Sequence, residues 1–259
     1  MKTNLILSLS VGFWVSAFAQ QATNPPGGTT AAAPSAEPQK APASLTPARS
    51  PLSPATLEKI GKMTALFDGK TLDGWQYETD AWVVRDGAMA STGAGRGVIY
   101  TKDDYGHFRL IFKVRHVSGQ PDHQACVLIF CTRPPEGQKG LDALGGIQFQ
   151  VPNGGHWDYR PGHNNSGGSE FQGVPHPKFD PHEWSQVELL VNAQTGAARM
   201  AVAQPLGTRA VEVLDFNEPT AGKAGPIAWQ MHNKGLFDEY KDVRIEPEPK
   251  AERLLTTED

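Results

Sequence analysis

From about Met63 onward the chain sets apolar and polar side chains in short alternating runs rather than in helical stripes. In Phe108–Arg115 the residues Phe108, Leu110, Phe112 and Val114 share one face, and Arg109, Ile111, Lys113 and Arg115 share the other. That period of two is the mark of a strand with one face on a core. Further strand-like runs cover Val98–Tyr100, Phe108–Val117, Gln124–Thr132, Gly146–Val151, Trp184–Asn192, Ala197–Ala203, Ile227–Met231 and Tyr240–Glu246. Asp68-Gly69, Asp73-Gly74 and Asp86-Gly87 are turn signals between such runs, and Gln194-Thr195-Gly196 reads as a hairpin loop. Helical signals are few and no strand–helix alternation appears. The pattern predicts an all-β antiparallel sandwich.

Composition changes the picture at the two ends. Lys2, the apolar stretch Leu5–Phe18 and the small-x-small triplet Ala17-Phe18-Ala19 read as a secretory signal over residues 1–19. Its apolar core is too short and too serine-interrupted for a membrane span. Residues 20–55 are rich in Pro, Ala, Thr, Ser and Gly with almost no aromatics, a composition that predicts a disordered leader or tether. Residues 56–249 are one domain's worth of chain, and 250–259 read as a short charged tail. The expected location is therefore periplasmic or secreted.

Charge and cysteine content exclude some classes. With 24 basic and 28 acidic residues, net −4 and no basic block, nucleic acid is not an expected partner. The two cysteines, Cys126 and Cys131, lie in one apolar run, and five positions apart on a strand they would face opposite sides. The expectation is two buried free thiols. No Gly-x-Ser-x-Gly elbow, phosphate-binding loop or dinucleotide fingerprint is present. Neither is a Glu-x-Asp-x-x-Glu pattern, nor an obvious carboxylate pair for ordinary glycoside hydrolysis.

Several motifs, in order, resemble the 3-keto-disaccharide hydrolase domain family. They are Leu66-Phe67-Asp68-Gly69-Lys70-Thr71-Leu72-Asp73-Gly74-Trp75 with Trp82–Gly87, and Thr101–Phe108 followed by Phe112–Arg115. Gly146–Val151, His182–Glu188, and Gly225–His232 followed by Tyr240–Ile245 complete the series. The resemblance implies a concanavalin-like jelly roll and places Gln230 and His232 toward its concave side. Two departures stand out. Gln148 occupies a position where the family commonly has Glu, and Asp122-His123-Gln124-Ala125 replaces its usual Asn-Ser-Gly.

Candidate chemistry concentrates in two places. Asn153–Asn165 reads as a polar loop that brings together His156, Trp157, Asp158, Tyr159, Arg160 and His163, with His116 and His123 on a neighbouring loop. Gln148, Gln150, Gln230 and His232 lie on presumed inner strands. The reading assigns catalytic roles to His156, Asp158, His163 and His232, and substrate-binding roles to Gln148, Gln150, Trp157, Tyr159, Arg160 and Gln230. All are expected to converge on one concave surface. A divalent metal is a possible cofactor, with His156, Asp158 and His163 as ligands and His123 or His232 as a further one. The resemblance implies cleavage of 3-keto-glycosides. A base takes the C2 proton, the C1 substituent is expelled by β-elimination, and water adds back. The alternative is a noncatalytic, lectin-like carbohydrate-binding module that stacks sugar on Trp157 and Tyr159.

Overall fold

The structure, a computed structural model, describes residues 49–119, 125–136, 144–163 and 170–257, with backbone alone for 170–173. The signal segment, residues 20–48 of the 20–55 linker, and His123 lie outside the described residues. Every described residue belongs to one compact unit, residues 47–259.

The domain opens earlier than its first strand. Helix α1 spans Pro54–Lys62, with Pro at its start and Ser53 as N-cap, whose Oγ accepts the Thr56 N–H at 3.1 Å. Then come β1 (Thr64–Ala65), β2 (Trp75–Tyr77), β3 (Trp82–Arg85), β4 (Ala88–Ser91) and β5 (Gly97–Thr101). The long β6 (His107–Ser118) precedes β7 (Cys126–Ile129), β8 (Ile147–Gln150), β9 (His156–Asp158) and β10 (Glu170–Gly173). The chain continues through β11 (Ser185–Asn192), β12 (Ala197–Ala203), β13 (Val211–Asn217), β14 (Ala228–Met231) and β15 (Phe237–Pro247).

These strands form the expected sandwich of two antiparallel sheets. One has the order β10-β13-β12-β11-β6-β15-β4-β3, with β1 also on β15; the other has the order β2-β5-β14-β7-β8-β9. Between them lies a continuous core. Phe108, Leu110, Phe112 and Val114 of β6 face Ile99, Val127, Ile129, Ile147, Phe149, Trp229 and Met231 of the smaller sheet. Aromatic rings tie its centre: Trp229 lies 5.1 Å from Trp75, 5.7 Å from Phe112 and 5.6 Å from Tyr240 between centroids. Such tilted and edge-on pairs add to what burial alone contributes.

Part of the outer face of the larger sheet is covered by residues 251–257. Arg109 and Glu188, both almost fully buried, pair at 2.8 Å. Arg109 also donates to Glu246 and to the carbonyls of Ala251 and Arg253, while Glu188 accepts from Leu255 N, Thr256 N and Thr256 Oγ1. Leu254 joins Leu190, Ala201, Ala203 and Ala210 in a small apolar cluster there. The segment read as a charged tail is therefore clasped to the sheet through residue 257. A second expectation is also corrected. Both cysteines are buried and free, but they do not face opposite sides. Phe130 takes a positive φ of 53°, which breaks the alternation. Cys131 then packs with Leu128 and Val98, on the face opposite the Val127 and Ile129 core side.

Candidate functional site

The polar residues singled out on the inner strands gather on the outer face of the six-stranded sheet. Strand alternation puts Cys126, Gln148, Gln150 and Gln230 there, because Val127, Ile147, Phe149, Trp229 and Met231 point into the core. Register aligns Gln148 with Trp157 on β9 and Gln150 with Cys126 on β7. At the floor, Gln230 Nε2 donates to Gln148 Oε1 at 2.6 Å, with both side chains almost fully buried. Gln230 Oε1 has no hydrogen-bond partner among the described residues. A buried amide oxygen left so costs on the order of 1–3 kcal/mol, which a hydroxyl donor would recover. The Gln230 amide also reaches the Cys126 thiol; burial nevertheless pushes that thiol up to about 12.

Aromatic rings stand beside these amides. Trp157 is 36 % exposed and lies 6.3 Å from Tyr159, which packs on the Leu128, Cys131 and Leu144 cluster. Tyr100 packs on the same cluster, a neighbour that sequence reading did not single out. Gly155 holds the β8–β9 turn tight. Its φ is 121°, and a Cβ there would sit 2.8 Å from Gln150 Oε1.

The same alternation divides the polar loop that sequence reading kept together. Its centre is a strand, β9, and successive residues of a strand face opposite ways. Trp157 goes outward with Gln148, whereas His156 aligns with Phe149 and Asp158 with Ile147, on the inner side. The His156 ring lies 6.0 Å from that of Phe216 in the larger sheet. Burial lowers its imidazole below the ordinary value, against the pull of Asp158. Asp158 is wholly engaged: Arg160 grips both carboxylate oxygens at 2.8–3.2 Å, and His163 Nδ1 lies 3.2 Å from Oδ2. Burial alone would raise this carboxyl. The hydrogen bonds and charge of Arg160, with the charge of His163, together outweigh it and hold the group below its usual range. Arg160 continues to Thr220 Oγ1 at 3.0 Å. This group ties β9 to the β13–β14 connection.

The expected convergence is thus corrected. Gln148, Gln150, Trp157 and Gln230 share one face, with Tyr159 packed beside them, while His156, Asp158, Arg160 and His163 form a separate cluster. His232 lies one residue beyond β14 in the series Ala228, Gln230, with its Nδ1 2.8 Å from Asn233 Oδ1. Among the described residues no three His, Cys, Asp or Glu side chains gather as a metal site. A cleft of about 470 Å³ also opens beside α1 on the opposite side of the sandwich, floored by Met63, Ile245, Pro247 and Leu255 and rimmed by lysines. Its lining has no aromatic, histidine or cysteine, so it offers neither stacking nor proton transfer near neutral pH. No helix among the described residues is long and apolar enough to cross a membrane.

The family model described as 3-keto-alpha-glucoside-1,2-lyase-like domain matches residues 62–246. A putative glycosyl hydrolase from Parabacteroides distasonis superposes with a TM-score of 0.52 at 15% identity, over 78% of this chain and 100% of that one. The carbohydrate-binding module CBM66 from Bacillus subtilis gives 0.48 at 13% identity, over 71% of this chain and 97% of that one. The architecture is the concanavalin-like jelly roll. No curated protein sequence matches the chain.

Proposed function

Since the chain belongs to the 3-keto-alpha-glucoside-1,2-lyase-like domain family, we propose that it cleaves 3-keto-glycosides on the outer face of its six-stranded sheet. The observation that carries this reading is the buried Gln148–Gln230 amide pair beneath exposed Trp157, with His232 one step farther along the strand that bears Gln230. A C3 carbonyl acidifies the C2 proton. In the proposed reaction His232 removes it, the enolate forms, and the C1–O bond breaks as the proton held by His232 passes to the departing aglycone oxygen, leaving the imidazole neutral. Water then adds across the C1–C2 double bond. An imidazole that donates from Nδ1 to Asn233 Oδ1 carries its basic lone pair on Nε2, the tautomer a base requires. The Gln148 amide N–H groups would donate to the oxygen on which charge develops, Gln230 Oε1 would accept a sugar hydroxyl, and Trp157 would stack on the sugar ring. His156, Asp158 and His163 have no part in this scheme, because His156 and Asp158 face the other way and His163 sits against Asp158. Export by residues 1–19 would place the enzyme in the periplasm or medium.

The test is turnover of a 3-keto-glucoside by the purified protein and by His232→Ala. Loss of a general base costs about 10²-fold or more. Equal turnover by the variant would end the His232 assignment. One observation favours a second reading: Gln148 puts an amide where the family commonly has a carboxylate. A lectin-like module would bind the same sugars through Trp157 and release them unchanged.

A further inference from the structure

In the six-stranded sheet the ladder between β14 and β7 stops short. Strand β14 stays paired with β5 from Ala228↔Tyr100 to Met231↔Gly97, but with β7 only at Ala228↔Leu128 and Trp229↔Val127. The next pair in register would join Gln230 to Cys126. Instead, the Cys126 N–H donates to Tyr240 Oη at 3.2 Å, and Tyr240 Oη donates to the Cys126 carbonyl at 3.3 Å. This phenol comes from β15, in the opposite sheet. Its fully buried ring is held among Trp82, Phe112 and Trp229. Two residues back on β15, Asp238 Oδ1 meets His116 Nδ1 at 2.7 Å, both side chains buried. The Asp238 N–H donates to Ser91 Oγ at 2.8 Å, and Ser91 Oγ donates to the Leu236 carbonyl at 3.0 Å. The strand that carries the phenol is therefore pinned just below it.

A hydroxyl both donates and accepts, so one Tyr serves the N–H and the C=O that a strand partner would otherwise take. Gln230 is displaced from that partnership, while its side chain reaches over β7 to Gln148.

We propose that Tyr240 is a positioning residue of the sugar face: its hydroxyl keeps β14 from closing onto β7 at residue 230, and so sets the Gln230 amide against Gln148. The inference rests on the reading that this face binds the sugar. It does not require Tyr240 to touch substrate.

Two measurements test it, the first without any sugar. In the unaltered protein the main-chain amide of Gln230 should exchange with solvent faster than those of Trp229 and Met231, whose strand stays paired with β5 at both positions. In Tyr240→Phe, which keeps the ring, that amide should become protected and the side-chain ¹H–¹⁵N resonances of Gln230 should move. A slowly exchanging Gln230 amide in the unaltered protein, or side-chain resonances unmoved by Tyr240→Phe, would overturn the proposal. The second measurement is a cycle on 3-keto-glucoside turnover. Tyr240→Phe should lower kcat/KM by about tenfold, the scale of one well-made hydrogen bond. In a Gln230→Ala background it should add little. Additive losses at matched melting temperature would show a merely structural role. If the Gln230 resonances move while no sugar is bound or turned over, the coupling stands and the sugar reading fails.

Discussion

Replacing Glu188 by Ala tests whether the C-terminal segment is part of the domain. The Glu188 carboxylate accepts from Arg109 Nε, Leu255 N, Thr256 N and Thr256 Oγ1 at 2.6–2.9 Å and has no solvent exposure. Its loss leaves Arg109 buried, with Glu246 at the edge as its remaining carboxylate. Breaking one side of a buried ion pair costs about 3–5 kcal/mol. The two main-chain N–H groups then either stay buried without acceptors, at about 1–3 kcal/mol each, or reach water by peeling away. Peeling exposes Leu254 and Leu255, at about 1.5–3 kcal/mol per side chain. The variant should therefore lose at least about 3 kcal/mol, a large share of the usual 5–15 kcal/mol of a domain. Urea unfolding followed by tryptophan fluorescence gives the loss from the midpoint at unchanged slope. Amide exchange over residues 251–257 reports whether the segment detaches. A loss below about 1 kcal/mol, or undiminished protection of Leu255 and Thr256, would refute the clasp.

The remaining predictions concern the two polar clusters and the thiols. Trp157→Ala should weaken sugar binding about 2- to 10-fold by calorimetry while leaving the melting temperature nearly unchanged, since stacking contributes about 0.5–1.5 kcal/mol and the ring is partly exposed; an unaltered affinity would remove Trp157 from the site. The folded-state imidazole of His156 is lowered, so its contribution to stability is present above the unfolded value of about 6.5 and is lost as pH falls through that value toward the folded one. His156→Asn should accordingly flatten the fall in urea midpoint between pH 7.5 and 5, and an unchanged slope would place the titration elsewhere. Asp158 has a lowered carboxyl and acts in a separate window below about pH 4, where its contribution is lost as acid protonates it. Cys126 and Cys131 should react with a thiol reagent only after denaturation, with no prior reduction; two reactive thiols in the native protein would contradict their burial.

Alternation made much of the fold legible before any coordinates. Runs such as Phe108–Val114 and Ala197–Ala203 carry the period of two over enough residues to fix both the strand and its buried face. Four features escaped for physical reasons. Strand β9 is three residues long between Gly154-Gly155 and Pro161-Gly162, so turn residues dominate its surroundings and it reads as loop. Taking it for a loop removed the alternation that separates Trp157 from His156 and Asp158, and the false convergence followed from that one omission. Helix α1 had a Ser-Pro start signal at Ser53-Pro54, but that signal sits at the end of a Pro/Ala-rich stretch whose composition masks it. The tail's two leucines sit among charges, and the partners that hold it, Arg109 and Glu188, are far away in sequence. At Phe130 a single left-handed residue reverses the face of Cys131, which no count of positions reveals.

The way the domain's ends meet bears on how it would carry load. The Arg209 N–H donates to the Ser50 carbonyl at 2.8 Å, the Ala210 N–H to the Thr256 carbonyl at 2.8 Å, and Arg209 Nη2 to the Thr257 carbonyl at 2.7 Å. Two adjacent residues of the β12–β13 connection thus fasten both ends of the described domain. Tension applied between them would pass through that short bracket and peel the terminal segments, leaving the sandwich and its six-stranded sheet outside the path of the force. The same proximity suits a circular permutant. A brief linker from residue 257 to residue 49 would close the chain, and new ends would belong in an exposed turn, between Gln194 and Thr195 for example.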